Sequence, residues 1–351
     1  MPKVAVALSG GIDSSVVAYL LKKQGFEVEG FFLRLKFDHP ALAVWRESEG
    51  RAALIASSLG IPFHVVDVRD EFEKEIWEPF WNAYKKGLTP NPCPFCNPKI
   101  KFGLLFKKAK FLGCENLATG HYARITKKKG IWKLKRGLDE TKDQSYFLYR
   151  VPQSIFPNII FPLGSFRKSE VREIAKEVFS ENFSQTPESQ ELCFIPEEFS
   201  GFSRKILPQK QGEIVDCEGR IISRHDGAWF FTEGQKVGIG NIGGHKPLYV
   251  VAKNTKKNQI KVTEDINDPA FLHKEFELKR VIWINKPESN NFRTKVQIRY
   301  RSKPISCTIE ICKNIIRVTL AEPNRSITPG QSAVFYRGDE VLGGGEIDKI
   351  L

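Results

Sequence analysis

Two groups of residues in this 351-residue chain carry chemistry by their type and spacing. The first is Ser9-Gly10-Gly11-Ile12-Asp13-Ser14-Ser15. Its glycines let a backbone approach a bulky anion closely, and its hydroxyls add donors. A helix starting here would offer unpaired amides and the positive end of its dipole, both of which favour phosphate. Asp13 is an odd neighbour for phosphate unless it holds Mg²⁺. The second group is Cys93-Pro94-Phe95-Cys96, with Cys193 much further along the chain. A C-x-x-C pair suits redox, zinc or iron–sulfur chemistry. The sequence has no second C-x-x-C, which argues against a four-cysteine zinc site. Cys114, Cys217, Cys307 and Cys312 stand alone and read as buried, inert thiols.

The elements that must position these groups are legible too. Lys3–Leu8 reads as a buried parallel strand, and Ser14–Lys23 as a helix stopped by Gly25. Glu27–Leu33 is a second strand, residues 45–59 a second helix and Phe63–Val68 a third strand. A helix over about 70–86, a Pro/Cys-rich loop over 89–98, a helix over 99–112 and a strand near Asn116–Thr119 follow. Strand and helix alternate as in a doubly wound parallel α/β sheet. After about residue 200 the segments become short, alternating and Gly-punctuated, as in Gly212–Val215 and Leu248–Val251. The last 80 or so alternate strongly, as in Lys295–Arg301 and Ala333–Tyr336, which is the texture of a small β-barrel. The expected organisation is an α/β domain over 1–200, a β-rich central domain over 201–270 and a C-terminal β-barrel over 271–351. Each is expected to build its own core.

With 54 Lys and Arg against 41 Asp and Glu, the net charge is +13, which favours a polyanionic partner such as nucleic acid. Residues 271–351 carry 14 Lys/Arg and 9 Asp/Glu, so the expected barrel shares the excess. Hydrophobic residues at 41% and charged residues at 27% exclude a disordered, collagen-like or polytopic membrane chain. No apolar run is long enough for a membrane span, and the start is too short for an export signal. The expected compartment is therefore the reducing cytoplasm.

The loop string lacks the Gly-Lys-Ser/Thr of a P-loop kinase and the third glycine of a dinucleotide fingerprint. A Gly-Gly pair alone would be a tight turn. The full Ser-Gly-Gly-x-Asp-Ser string after a first strand resembles the pyrophosphate-binding loop of the ATP pyrophosphatase (PP-loop) family, whose members adenylate a carbonyl or carboxyl oxygen.

Along nearly its whole length the chain resembles the bacterial tRNA-specific 2-thiouridylases. The resemblance is carried by Ser9–Ser15, Thr89–Phe102 and Ala118-Thr119-Gly120-His121-Tyr122. It continues through Gly137-Leu138-Asp139 with Lys142–Phe147, Cys193-Phe194-Ile195, and Phe231–Gln235 leading to Gly238-Ile239-Gly240. It implies ATP and Mg²⁺, with ATP bound by Ala7, Leu8, Ser9, Gly10, Gly11, Ile12, Asp13, Ser14, Leu33 and Gly120. It implies that Cys193 carries sulfur as a persulfide and that Cys96 releases it by forming a disulfide with Cys193. Asn91, Pro92 and Cys93 would line the target-base pocket. His121, Lys142, Asp143, Gln144, Arg299, Tyr300, Arg301 and Gln331 would contact tRNA at its anticodon stem-loop. The implied sulfur source is a persulfide donor protein or sulfide.

The chemistry agrees. A uracil C2 carbonyl is a poor electrophile until its oxygen is adenylated. Sulfur must then arrive on a low-pKa thiol, which the Lys-rich surroundings are expected to supply. The base must leave its stack to be reached, and aromatic and basic contacts suit a single-stranded loop. Without the resemblance, Arg299–Arg301 reads as a solvated strand face and His121 as a structural histidine.

Many members of that family have Asp where this chain has Cys93. Cys93, Cys96 and Cys193 would leave one iron of a [4Fe–4S] cluster open for extra sulfide, a route that would replace the persulfide–disulfide one. Phe37–Gly50 matches the family poorly and is assigned no role. The competing readings are another PP-loop ligase, such as a tRNA-lysidine or argininosuccinate synthetase, and a non-catalytic RNA-binding module.

Overall fold

The structure, a computed structural model, describes residues 2–35, 42–186, 192–195, 198–237, 247–312, 315–325 and 327–351. Side chains of the helix that opens at residue 42 are described from residue 46 onward. Residues 37–41, Ser189-Gln190-Glu191 and Gly238-Ile239-Gly240 therefore lie outside the described residues.

Strands β1 (Lys3–Ala7), β2 (Glu27–Arg34), β3 (Phe63–Asp67) and β4 (Asn116–Ala118) begin the first sheet. The hairpin of β5 (Ala123–Lys128) and β6 (Ile131–Arg136) leaves it, and β7 (Ile159–Ile160) returns. The sheet is wholly parallel, in the order β3-β2-β1-β4-β7. Val4, Val6, Val28 and Phe32 are buried in it, as a sheet covered on both faces requires. Helix α1 (Ile12–Lys23) packs Val16, Val17 and Leu21 against β1 and β2, and helix α2 (Leu42–Ser58) buries Ala52, Ile55 and Ala56 in the same core.

The Pro/Cys-rich stretch expected to be a loop is partly helical. Cys93–Cys96 forms an α-turn that runs into a π-helix over Asn97–Leu105 and an α-helix over Phe106–Phe111. Pro94 stands in the first turn of this run, where a missing N–H breaks no helical bond, while Pro98 lies at the start of the π-helical stretch and offers no N–H to the turn before it. A second π-helix, Glu73–Trp77, joins two α-helical pieces between residues 69 and 85. Insertions of this kind often re-aim side chains near functional sites.

The central domain holds β8 (Gly212–Val215), β9 (Ile221–His225), β10 (Lys236–Val237), β11 (Leu248–Asn254) and β12 (Gln259–Thr263), in the order β10-β11-β12-β8-β9. The last domain holds β13 (His273–Trp283), β14 (Asn291–Gln297), β15 (Ile305–Cys312), β16 (Ile315–Asn324), β17 (Ser332–Arg337) and β18 (Glu340–Ile350). Their order is β13-β16-β15-β14-β17-β18, and pairing of β13 with β18 closes a six-stranded barrel. Period-2 burial of Ile316, Val318 and Leu320 on β16 fills its interior. Arg299, Tyr300 and Arg301 are not on a strand. β14 ends at Gln297, and the Ser302 amide and hydroxyl both donate to the Arg299 carbonyl to close a turn. Pro304 then follows, and a proline has no N–H with which to extend the ladder.

Two connections across the chain are absent from any local pattern. The β5–β6 hairpin adds to the barrel sheet, where Leu134 pairs with Val341 and Lys135 with Glu340. The largest core also joins Phe80, Trp81, Tyr146 and Tyr149 to Ile284, Val334, Tyr336 and Val341. The barrel and the central domain each have a further core of their own.

Candidate active site

The Ser9–Ser15 loop follows β1, whose neighbours β2 and β4 lie on opposite sides, so it occupies the switch point of the sheet. Gly11 is the N-cap of α1 and no side chain caps it, which leaves first-turn amides for a ligand. Gly10 has φ +76°, and a Cβ there would lie 2.4 Å from the Ser48 carbonyl oxygen of α2. The loop serines are partly spent on the loop itself. The Ser9 amide donates to Ser14 Oγ at 3.1 Å, and the Ser14 and Ser15 hydroxyls both donate to the Gly11 carbonyl at 3.0 Å. Ala7, buried Leu8 and buried Ile12 frame the loop, and half-buried Leu33 lies near the carboxyl end of β2. Gly120, just past β4, comes so close that a Cβ would stand 3.0 Å from Asp13 Cβ and 3.2 Å from the Ser14 nitrogen.

Asp13 does not stand open. Its Oδ1 accepts from Lys168 Nζ at 2.7 Å and from the Tyr122 hydroxyl at 2.9 Å. Lys168 is only 7% exposed, so its ammonium is held against the loop rather than in solvent. Sequence reasoning missed it because nothing in local periodicity marks a lysine that folds back over 155 residues. Arg51 was missed as well: its Cβ would lie 3.2 Å from a Cβ on Gly10, and its buried Nε has no partner among the described residues. Among those residues no group of three His, Cys, Asp or Glu side chains is disposed to hold a metal ion. The donor set at Asp13, a carboxylate already facing an ammonium, thus fits an anion with its own counter-ion better than a bare metal.

The three cysteines named from the sequence come together. Cys93 and Cys96 open the 93–111 helical run, and Cys193 lies in a turn close enough to raise the pKa of both electrostatically. Cys193 is exposed and its neighbour Phe194 is 2% exposed, wedged 5.4 Å from Phe72 and 5.7 Å from Phe80 between ring centroids. That aromatic nest fixes where Cys193 can be. The expectation of a low-pKa thiol is corrected. Burial pushes Cys93 up to about 12 and raises Cys96 too, outweighing the opposing charge of Lys101. Lys101 also lies near enough to His121 to lower its pKa, although burial is the larger cause and holds it well below the usual histidine range. Lys101 follows Cys96 on the same helical run, a spacing that would have flagged it. Two isolated cysteines depart from the buried reading: Cys114 and Cys307 are buried, but Cys217 and Cys312 are exposed. All seven cysteines are free thiols.

The residues named for base and RNA contact separate into outward and inward groups. Asn91 Oδ1 accepts from the Cys93 amide at 3.1 Å, shaping the turn, and Pro92 is buried. His121 is buried with Nδ1 2.6 Å from Thr119 Oγ1. Asp143 faces inward, accepting from Arg136 at 2.8 Å and from the Gly137 and Ser145 amides at 3.0 Å. Gln144 Oε1 accepts from the Tyr122 amide at 3.1 Å, and Lys142 is half-exposed. Arg299 and Arg301 are exposed, while Tyr300 packs on Phe147 at 4.3 Å and feels the charge of Cys93. Gln331 Nε2 donates to the Thr89 carbonyl at 2.8 Å, and the Thr89 amide donates to Pro329 at 3.1 Å. The barrel thereby clamps the residue just before the Asn91–Cys96 stretch.

Comparison with known proteins adds a third line. The family described as "tRNA methyl transferase HUP domain" matches residues 2–197. A "tRNA methyl transferase PRC-barrel domain" matches 200–264 and an "Aminomethyltransferase beta-barrel domain" 273–347. The tRNA-specific 2-thiouridylase MnmA of Carboxydothermus hydrogenoformans is 40% identical, across 99% of this chain and 98% of its own. That of Trichormus variabilis is 42% identical, across 99% of each. Among solved structures, the U34-tRNA thiolase NcsA of Methanococcus maripaludis aligns at TM-score 0.33 and 22% identity, over 55% of this chain and 62% of that one. No helix among the described residues is long and apolar enough to cross a membrane.

Proposed function

Since the chain belongs to the tRNA-specific 2-thiouridylase family, we propose that it transfers sulfur to C2 of the wobble uridine of tRNA, consuming ATP. The observation that carries this reading is the meeting of Cys93, Cys96 and Cys193 around Lys101, next to the His121–Gly120 segment that overlies Asp13 and Ser14.

The triphosphate would lie on the amides at the start of α1, with Lys168 and Arg51 as flanking cations, and Mg²⁺ would supply further neutralisation of its charge. The C2 oxygen of the extruded uridine attacks the α-phosphorus and pyrophosphate leaves. The terminal sulfur of a Cys193 persulfide then attacks C2, and AMP leaves with the former carbonyl oxygen. The Cys96 thiolate attacks Cys193 Sγ. The new Cys96–Cys193 bond replaces the bond to the transferred sulfur, which departs on the base as 2-thiouridine. A thiol reductant resets the disulfide and a persulfide donor protein supplies the next sulfur to Cys193; where sulfide is the source, it attacks Cys193 Sγ in the Cys96–Cys193 disulfide, which re-forms the persulfide and releases the Cys96 thiolate. The burial that raises Cys93 and Cys96 favours their protonated forms, and Lys101 is the cation placed to favour a thiolate. His121, Lys142, Asp143, Gln144, Arg299, Tyr300, Arg301 and Gln331 contact or shape the RNA-binding face. Asp143 and Gln331 act by holding the backbone around them.

A second reading is favoured by one residue, the third thiol of Cys93: a [4Fe–4S] cluster on the three cysteines. The described geometry does not fit it, since among the described residues these side chains do not form a metal-binding group. The test is anaerobic protein assayed with tRNA for pyrophosphate release and thiolation, alongside iron and labile sulfide. Under the proposal, Cys193→Ser releases pyrophosphate but makes no 2-thiouridine, and Cys93→Asp retains thiolation without iron. Full thiolation by Cys193→Ser would remove the sulfur-carrying role. Iron bound in proportion to activity, and lost with it in Cys93→Asp, would establish the second reading.

A further inference from the structure

A cavity of about 470 Å³ opens on the far side of the Cys93–Cys96 turn, between the 78–85 helix and strands β13 and β18 of the barrel. None of the phosphate-loop residues and none of the three cysteines lines it. Its wall includes Asn91, Phe95, Lys86, Arg280 and Glu346. Two guanidinium groups, those of Arg150 and Arg280, lie 4.5 and 5.2 Å from the Phe95 ring centroid. Glu346 is 5% exposed and pairs with Arg280 and, at 3.3 Å, with Lys279. Asn91 has committed its Oδ1 to the Cys93 amide, which leaves its Nδ2 for another partner.

The geometry points to this cavity as the seat of a second nucleotide of the same RNA, the one beside the target uridine. The inference rests on the tRNA-thiolation reading. The chemistry is that of single-strand recognition: planar guanidinium and aromatic surfaces on which a base stacks, a buried carboxylate to accept from an exocyclic amino group, and exposed Lys86 at the mouth for phosphate. Its place follows from the shared wall. One helical turn separates it from the thiols, with Cys93 and Cys96 against Cys193 and Phe95 in the cavity. A strand that presents one base to the sulfurs therefore passes its neighbour along the cavity side. Gly330, which also lines it, adjoins Gln331, a residue named for RNA contact.

The test is a cycle between protein and RNA. An anticodon stem-loop is made intact or with an abasic site on either side of the wobble uridine. Its Kd and its thiolation at saturating RNA are measured for the wild type, for Ala83→Trp, which fills the cavity, and for Lys86→Ala, an exposed change that leaves the core untouched. One abasic site should weaken wild-type binding about tenfold and cost Ala83→Trp nothing further. Lys86→Ala should weaken binding several-fold with a shallower salt dependence. An abasic penalty that persists in full in Ala83→Trp, or intact binding by both variants, overturns the proposal. So does loss of thiolation at saturating RNA in Ala83→Trp, because the cavity would then hold the target base itself. If the wild type neither binds nor thiolates the intact stem-loop, it is the tRNA reading that fails.

Discussion

Lys101 faces all three thiols and His121, so it is the residue through which the site's electrostatics can be adjusted without touching sulfur. Lys101→Gln removes that opposing charge and leaves burial to raise Cys93 and Cys96 further. Sulfur transfer at neutral pH should slow on the order of tenfold, equivalent to about 1.4 kcal/mol less stabilisation of a thiolate, while pyrophosphate release is spared. Single-turnover assays across pH check this, and an unchanged rate would show that Lys101 does not act on the reacting thiolate. The raised folded-state value of Cys93 also has a sign. A thiol whose pKa is raised on folding favours the native state while protonated. That contribution is therefore present below the ordinary thiol pKa and is lost as pH climbs towards about 12. Iodoacetamide should accordingly modify Cys93 slowly at neutral pH and faster with each rise in pH, read by mass spectrometry of the native protein. At the RNA face, Arg299→Ala should lower the slope of log K against log salt by about one, as expected for one lost phosphate contact. An unchanged slope would strike Arg299 from the contacts.

At the scale of elements, the phosphate loop depends on how closely α2 lies over it. Gly10→Ala forces an L-residue into left-handed backbone, which costs about 1–2 kcal/mol. It also drives a methyl into the Ser48 carbonyl, 2.4 Å away. ATP-dependent AMP release should fall at least tenfold, through KM for ATP, with RNA binding retained. Loss of RNA binding would mean that the loop and α2 support the whole fold rather than the nucleotide site. The π-helix at Asn97–Leu105 matters for the same reason of direction. It follows directly from the Cys93–Cys96 turn, and the wider turn sets where Lys101 stands relative to the sulfurs.

In the whole molecule the barrel is part of the catalytic unit. It takes the β5–β6 hairpin onto its edge, contributes Val334, Tyr336 and Val341 to the largest core and fixes Thr89 through Pro329 and Gln331. Removing residues 271–351 should leave that core open, and the remaining chain should lose cooperative thermal unfolding rather than persist as a competent ATPase. A sharp transition with AMP release intact would refute this. What the sequence determined by itself was whatever is written in local order: the strand–Gly-Gly–helix run, the parallel-sheet alternation, the period-2 strands of the barrel and the three cysteines worth watching. Those features depend on backbone geometry and side-chain period, which neighbouring residues set. Only the tertiary structure decided that Lys168 closes on Asp13 and that Arg299–Arg301 turns instead of pairing. It also decided that Asp143 faces inward and that burial outweighs Lys101 at the thiols. Desolvation and long-range ion pairing depend on what the rest of the chain brings into contact, and no local spacing records that.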